Sequence, residues 1–491
     1  MEKDILSFRR RTKIVATLGP ASDDPKVIEE LINAGADVLR FNFSHAAPKK
    51  QKSSVEQIRA LSSKLGRHIG IMGDLQGPKI RIESFKQGSV NLEQGQVFML
   101  DTKLGSSDGD ETSVGVAYSN LINDVIPGDT LLLDDGQIVL EVSEIKSSRI
   151  ICKVVEGGLL TDHKGLNKKG GGLSAPALTD KDKKDIIEAA NLDMDFVSVS
   201  FARNAADIIE ARQLLREAGG QGHIVAKIER AEAVDNINEI IDASDVIMVA
   251  RGDLAVEVGY AAMTGLQKSL IRRTRIRNKV SITATQMLES MITSSSPTRA
   301  EVSDVANAVM DGTDAVMLSA ETAIGNFPSQ AVETMSELCV GAERHETFRR
   351  PRNNRLEDDF SYIDEAIALA AMYTANHLQV SAIIAFTESG STTQWMSRAR
   401  SDIPIYAFTR HEATCRRVAI YRGVYPASFD IVRAESGEIY QSAIRALEEA
   451  GVLSAGDLVL FTLGEMAGVS GGTNTLRILE VGSGKAVDAG A

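Results

Sequence analysis

Charged and polar residues recur where the short apolar runs of this chain end. The run His223–Ile228 closes on Lys227 and Glu229, and Val246–Ala250 runs out into Arg251, Gly252 and Asp253. Between them Ala231–Ala243 has helical apolar spacing, so the stretch reads as strand, helix, strand. Runs apolar on both faces suit a covered parallel sheet. Adjacent parallel strands lie about 4.8 Å apart, close enough for Lys227, Glu229 and Asp253 to point into one pocket. Two carboxylates beside an ammonium suit Mg²⁺, with a cation left over for a phosphate. The competing reading is an ordinary rim of solvated charges.

Other runs end in the same manner. Asp37–Phe43 carries Arg40 and Asn42 and leads to Ser44 and His45; His68–Gly73 leads to Asp74 and, further on, Arg81. Val280–Ala284 is followed by Thr285 and Gln286, and Ala315–Ser319 by Glu321. Two arginines, a lysine and a carboxylate pair suit a phosphorylated carboxylic acid held on Mg²⁺. Phosphoryl transfer is mostly positioning and charge neutralisation. There is no Walker A sequence and no kinase glycine-rich loop, so any nucleotide must be held differently.

Eight such runs, alternating with helical patterns, predict a (β/α)8 barrel, whose functional groups gather at the carboxyl ends of its strands. The strands are expected at 13–19, 37–43, 68–73, 196–201, 223–228, 246–250, 280–284 and 315–319. From about Lys79 to Gly172 the helical rhythm stops, and short alternating runs separated by Gly, Asp and Ser predict an inserted small β-barrel lid ending in the glycine-rich stretch Lys164–Gly172. The polar stretch His345–Asp359 reads as a linker to a C-terminal α/β region. The expected division is residues 1–77 and 173–344 for the barrel, 78–172 for the lid, and 345–491 for the C-terminal domain.

The composition fits this picture. At 491 residues the chain is too long for one core. A 43% hydrophobic share with 25% charged residues is that of a globular protein, and the net charge of −13 argues against nucleic-acid or membrane-surface binding. Three widely spaced cysteines form neither a disulfide framework nor a metal motif. The N-terminal residues lack an apolar signal region and no run is long enough to span a membrane, so a cytoplasmic protein is expected.

Specific motifs then add a resemblance. Val38–His45, Gly73–Arg81, Ala226–Arg230, Val249–Glu257, Ala284–Met291 and Met317–Thr322 resemble the pyruvate kinase family, in order along nearly the whole chain. The resemblance implies phosphoenolpyruvate and ADP as substrates, Mg²⁺ as cofactor and a homotetramer. It implies Lys227 as the group that neutralises the transferring phosphoryl group and the enolate oxygen, with Glu229 and Asp253 as Mg²⁺ ligands. Arg40, Gly252, Asp253 and Thr285 would hold substrate, and Thr285 with Ser319 would relay the enolate's proton. Asn42, Ser44, His45, Arg81 and Lys164 would meet the nucleotide, Lys164 being delivered by closure of the lid. Asn42, Ser44, Asp74 and Leu75 fall at monovalent-cation positions.

One departure stands out. Potassium-dependent members read Asp-Thr-Lys-Gly-Pro-Glu after the third strand, whereas this chain reads Asp74-Leu75-Gln76-Gly77-Pro78-Lys79. An ammonium near Asn42, Ser44 and Asp74 can substitute for a cation, so K⁺ is expected not to be required. Ala255 replaces a family glycine with small consequence, and Ala46 replaces another and is expected to tighten the loop that follows. In the C-terminal region, Thr387–Thr393 follows a strand and opens a helix, an arrangement suited to phosphate. Thr387, Ser389, Gly390, Ser391 and Thr392 match the family's allosteric loop and imply a phosphorylated effector, with Arg410, Trp395 and the loop 468–474 nearby. Two rival readings are a catalytically silent sensor and a lyase acting on pyruvate through an Mg-enolate.

Overall fold

The computed structural model describes residues 10–44, 48–344, 360–399, 401–431, 438–464 and 471–482. The eight expected barrel strands form a closed, all-parallel barrel. They run Lys13–Thr17, Val38–Asn42, Gly70–Asp74, Phe196–Val199, His223–Ile228, Val246–Ala250, Val280–Ala284 and Ala315–Leu318. The fold is a (β/α)8 barrel with additional β sheets and a C-terminal α/β domain.

Side chains alternate as the barrel requires. Ile247 and Val249 pack outward with the helices, while Val246 and Met248 fill the interior. Val15, Met72, Val225, Ile282 and Met317 join that interior cluster. The same cluster continues without a break into Ala371, Met372, Ile383 and Ile405 of the C-terminal domain, so the floor of the barrel and one face of the C-terminal sheet share a core.

Local chemistry sets most helix ends. Thr179 and Thr298 each close a capping box, with Asp182 and Glu301 as reciprocal partners. The helix expected over 231–243 is two, Ala231–Asp235 and Ile237–Ala243. They break at Asn236, whose side-chain amide donates to the Arg203 carbonyl at 3.0 Å. Arg251–Val258 is a further helix that the periodicity did not disclose, because its first turn is spent on polar residues of the rim.

Between the third and fourth barrel strands lie a two-stranded and a six-stranded sheet built from residues 89–168, interrupted only by the four-residue helix Leu121–Asp124. In the C-terminal domain two strands escaped the sequence reading, Val424–Ser428 and Thr475–Glu480. The first contains Pro426 and sits at the sheet edge, where a missing N–H is tolerated. The second runs antiparallel to Leu458–Leu463 at the other edge.

The inserted region joins the barrel through two strands of chain, and the helix Arg251–Val258 touches both. On the entry side, Lys79 Nζ lies 3.0 Å from Asp253 Oδ1. On the exit side, the Glu257 carbonyl accepts from the Gly170 N–H at 3.0 Å. The Glu257 carboxylate accepts from the Asn167 amide at 3.4 Å and from the Ala231 N–H at 2.9 Å. Glu232 accepts from the Gly172 N–H, and Arg230 donates to the Leu173 carbonyl.

Two substitutions test these joints. Gly77 has φ +67°, and a Cβ there would lie 2.8 Å from Ser200 Cβ. Left-handed backbone alone costs about 1–2 kcal/mol for a residue with a Cβ, so Gly77→Ala should lower the unfolding free energy in urea by at least that much. An unchanged urea midpoint would contradict the packing described. Burial lifts the Glu257 carboxyl from 4.5 to about 7, with Glu232 adding to the rise and the Ala231 N–H and Arg230 opposing it. A carboxyl raised on folding holds its proton in the native state after the unfolded chain has lost it. Its contribution is therefore complete below pH 4.5 and is lost as pH climbs to about 7. Glu257→Gln should recover up to about 3 kcal/mol relative to the parent on going from pH 4 to pH 8. Parallel stability curves for the two proteins would reject that assignment.

Candidate active site

The carboxyl ends of the barrel strands bring the sequence-selected residues to one rim. Asn42 lies opposite Asp74 in the register of the second and third strands. Lys227 lies opposite Met248, which places Glu229 beside the start of the Arg251–Val258 helix.

Asp74 is the buried centre of this rim. Its Oδ2 accepts from Arg40 Nε at 2.9 Å and pairs with a second Arg40 nitrogen, and Lys227 Nζ lies 3.5 Å away. Burial pushes the Asp74 carboxyl up, but Arg40 and then Lys227 outweigh it and hold it below its ordinary value. Arg40 also donates to Thr17 Oγ1 at 2.9 Å, so its guanidinium is fixed from two strands.

Lys227 Nζ donates to Ser200 Oγ at 2.8 Å and lies 2.8 Å from Glu229 Oε1. Burial would discharge this ammonium, but Asp74 and Glu229 raise its pKa and keep it protonated. Glu229 Oε2 accepts from the Phe201 N–H at 2.8 Å. Burial raises the Glu229 carboxyl; Lys227 opposes the rise and the nearby Asp253 carboxylate adds to it. Two carboxylates that repel each other at a partly open rim are what a divalent cation relieves. Mg²⁺ is commonly held by one or two carboxylates together with substrate oxygens and water. Glu229 and Asp253 fit that demand, and no cluster of three or more His, Cys, Asp or Glu exists among the described residues to hold a metal by itself.

Thr285 and Gln286 both have positive φ, +69° and +54°. A β-branched residue in that region is strained, and such strain gathers at functional sites. Thr285 Oγ1 accepts from the Gly252 N–H at 2.9 Å and donates to the Ala284 carbonyl at 2.6 Å, so this hydroxyl bonds barrel backbone. Arg251 buttresses the turn, donating to the Thr285 carbonyl at 2.7 Å and pairing with Asp304 at 2.7 Å. Ser319 precedes a short helix, its N–H donating to Glu321 Oε2 at 2.7 Å, while Glu321 Oε1 accepts from the Leu288 N–H.

Other selected residues make different contacts from those expected of them. Lys79 reaches Asp253 and not Asp74, whose accepting oxygen is already shared by Arg40 and Lys227. The Leu75 carbonyl is taken by Ser200 Oγ at 2.8 Å, and Asn42 Oδ1 by the Ser44 N–H at 2.9 Å. Arg81 donates to the His163 carbonyl, and Lys164 pairs with Asp134 at 2.8 Å, both contacts lying within the inserted region. His45 lies outside the described residues. The sequence reading missed Ser200 and, although it named Arg251 at the end of the sixth run, gave that residue no role. Ser200 follows the fourth strand directly, and that position alone was the available signal.

The C-terminal loop opens a helix Ser391–Arg398, preceded by Gly390 at φ +92°. Thr387 Oγ1 accepts from the Gly390 N–H at 2.9 Å, the Ser391 N–H donates weakly to Ser389 Oγ at 3.4 Å, and Thr392 and Thr473 share a 2.7 Å hydroxyl contact. A shallow cleft beside this helix start is lined by Thr387, Ser391, Thr392, Arg410 and Thr473. Trp395 turns instead toward Asp364 and Tyr362.

Comparison with known proteins agrees with the geometry. Residues 9–332 match the family model "Pyruvate kinase, barrel domain", and 365–479 match "Pyruvate kinase, alpha/beta domain". The chain is 52% identical to pyruvate kinase II of Salmonella typhimurium over 476 residues, covering 96% of this chain and 99% of that one. It is 50% identical to pyruvate kinase of Haemophilus influenzae, covering 96% and 99%. A crystal structure of a pyruvate kinase from Cryptosporidium parvum superposes with a TM-score of 0.88 at 33% identity, covering 96% of each chain. With both family models matched and half of all residues shared along the full length, the chain belongs to the pyruvate kinase family and is a phosphotransferase.

Proposed function

We propose that this chain transfers the phosphoryl group of phosphoenolpyruvate to ADP, with Lys227 as the central cation. The single observation that carries this reading is the buried Lys227 ammonium, kept charged by Asp74 and Glu229 and facing the rim beside Asp253. The bond between the phosphorus and the enol oxygen breaks, and a bond to the ADP terminal oxygen forms. Lys227 and Arg40 neutralise charge on the phosphoryl oxygens and on the departing enolate. The enolate then takes a proton at its terminal carbon, giving pyruvate; Thr285 and Ser319 are the hydroxyls assigned to that relay. Gly252 and Thr285 position the carboxylate end. Glu229 and Asp253 would hold Mg²⁺, which supplies charge neutralisation and a template for the substrate oxygens.

Asn42, Ser44, His45, Arg81 and Lys164 are assigned to the nucleotide. Because Arg81 and Lys164 are tied within the inserted region, their contribution requires that region to move toward the rim. Independence from K⁺ belongs to the same reading, with Lys79 as the resident cation in place of one at Asn42, Ser44, Asp74 and Leu75. Its support is an ammonium held at Asp253, within the same cluster of charges. A phosphorylated effector at Thr387, Ser389, Gly390, Ser391 and Thr392 is supported by the hydroxyl-lined helix start facing Arg410. A cytoplasmic homotetramer completes the reading, in keeping with the exposed apolar side chains of Tyr362 and Ile363; no helix among the described residues is long and apolar enough to cross a membrane.

The decisive assay is pyruvate formation from phosphoenolpyruvate, ADP and Mg²⁺, in buffer free of K⁺ and then with K⁺. Full activity without K⁺ is expected. A large rise on adding K⁺ would remove the role given to Lys79, and no pyruvate under either condition would remove the catalytic reading. Lys79→Met should make the enzyme respond to K⁺ by about tenfold or more, equivalent to about 1.4 kcal/mol at the transition state. Lys227→Met should lower kcat by about 10³-fold, the scale of losing one preorganised charge partner, with the fold retained by circular dichroism.

A further inference from the structure

The fourth barrel strand, Phe196–Val199, runs into Ser200 and Phe201, two residues without charge. This turn nevertheless bonds both charged groups at the end of the fifth strand. Ser200 Oγ accepts from Lys227 Nζ at 2.8 Å, and the Phe201 N–H donates to Glu229 Oε2 at 2.8 Å. Phe201 has φ +55°, a conformation that bulky side chains rarely adopt and that gathers at functional sites. Gly77, on the chain entering the inserted region, closes over the turn: a Cβ there would meet Ser200 Cβ and Phe201 Cδ2, both at 2.8 Å. The turn is therefore strained, tightly packed and aimed at the Lys227–Glu229 pair.

The hydroxyl of Ser200 has one proton and two lone pairs. Its proton is committed to the Leu75 carbonyl at 2.8 Å, and the side chain is buried. Toward Lys227 it can act only as an acceptor. The ammonium has three N–H groups, and three protein oxygens stand around it: Ser200 Oγ and Glu229 Oε1 at 2.8 Å, and Asp74 Oδ2 at 3.5 Å. Two of these partners are carboxylates that neutralise the cation. Ser200 is the neutral one. A third carboxylate in its place would leave the ammonium less charge to set against a phosphoryl group. No acceptor in its place would let the flexible lysine stem swing toward the two anions, and the 3.5 Å separation from Asp74 leaves room for that movement.

We propose that Ser200 is a positioning residue for phosphoryl transfer, a neutral acceptor that fixes the Lys227 ammonium at the rim without neutralising it. This rests on the phosphotransfer reading above and deepens it, by naming what keeps the central cation in place. Ser200 acts through Lys227, and its own proton stays on the Leu75 carbonyl throughout.

The test is a double-mutant cycle on the full chain: parent, Ser200→Ala, Lys227→Met and the double variant, assayed for pyruvate formation from phosphoenolpyruvate, ADP and Mg²⁺. A misplacement of about 1 Å can cost about 10²-fold in rate, so Ser200→Ala should lower kcat at least about tenfold in the parent, with KM for phosphoenolpyruvate little changed. In the Lys227→Met background the same change should leave kcat where it was, because the group that Ser200 holds is gone. Ser200→Cys keeps the volume but offers a weak acceptor; it should lose kcat in the same way and serves if alanine unfolds the turn. Equal losses in the two backgrounds, or an unchanged kcat in a folded Ser200 variant, would overturn the role, leaving Ser200 as a satisfied buried hydroxyl. A crystal structure of the variant reads position without turnover: Lys227 Nζ should shift toward Glu229 and Asp74, and an unmoved Nζ would overturn the proposal. An inactive parent would remove the phosphotransfer reading alone, and that crystal structure would still decide whether Ser200 holds Lys227.

Discussion

The active rim depends on one buried carboxylate. Asp74 sits at the end of the third barrel strand and holds Arg40 and Lys227 against the same oxygen. Without that anion, two cations would share a desolvated space, and a buried charge without its partner costs several kcal/mol. With it, Lys227 stays charged while still facing Glu229 and Ser200. The other Asp74 oxygen is buried and has no hydrogen-bond partner among the described residues, so the site carries unspent acceptor capacity at its centre. Barrel geometry makes this economical, because Arg40, Asp74 and Lys227 come from three different strands whose backbone is already satisfied by their neighbours.

The helix Arg251–Val258 couples this rim to the inserted sheets. One turn presents Gly252 and Asp253 to the substrate side, and the next carries Glu257, beneath the chain returning from the inserted region. Lys79 and Asn167, at the two connections, meet the same short helix at opposite ends. The inserted region is therefore bonded at both of its connections to the element that bears a candidate metal ligand. At the far end of the barrel, the continuous apolar core and the Arg398–Asp314 pair tie the C-terminal helix to the segment leading into the eighth strand, which ends at Leu318, just before Ser319.

The sequence by itself determined the eight strands, because runs apolar on both faces, such as Val246–Ala250, leave few alternatives to a covered parallel sheet. It also marked which residues reach the rim, since residues at or just past the carboxyl end of a barrel strand gather there; Arg40, Asp74, Lys227, Glu229 and Asp253 were legible for that reason. Tertiary structure alone decided the partnerships. Lys79 was expected near Asn42, Ser44 and Asp74, but it lies on Asp253, because Asp74 is already neutralised by cations from two other strands. Thr285 and Lys164 carry the expected residue types, yet their present bonds run to backbone and to Asp134. The bonds made by Ser200 and Arg251 were invisible to spacing, because each joins segments far apart in the chain within hydrogen-bond reach. Periodicity reports the face on which a residue lies, whereas the charge it meets there depends on which strands the closed barrel and its neighbouring domain set side by side.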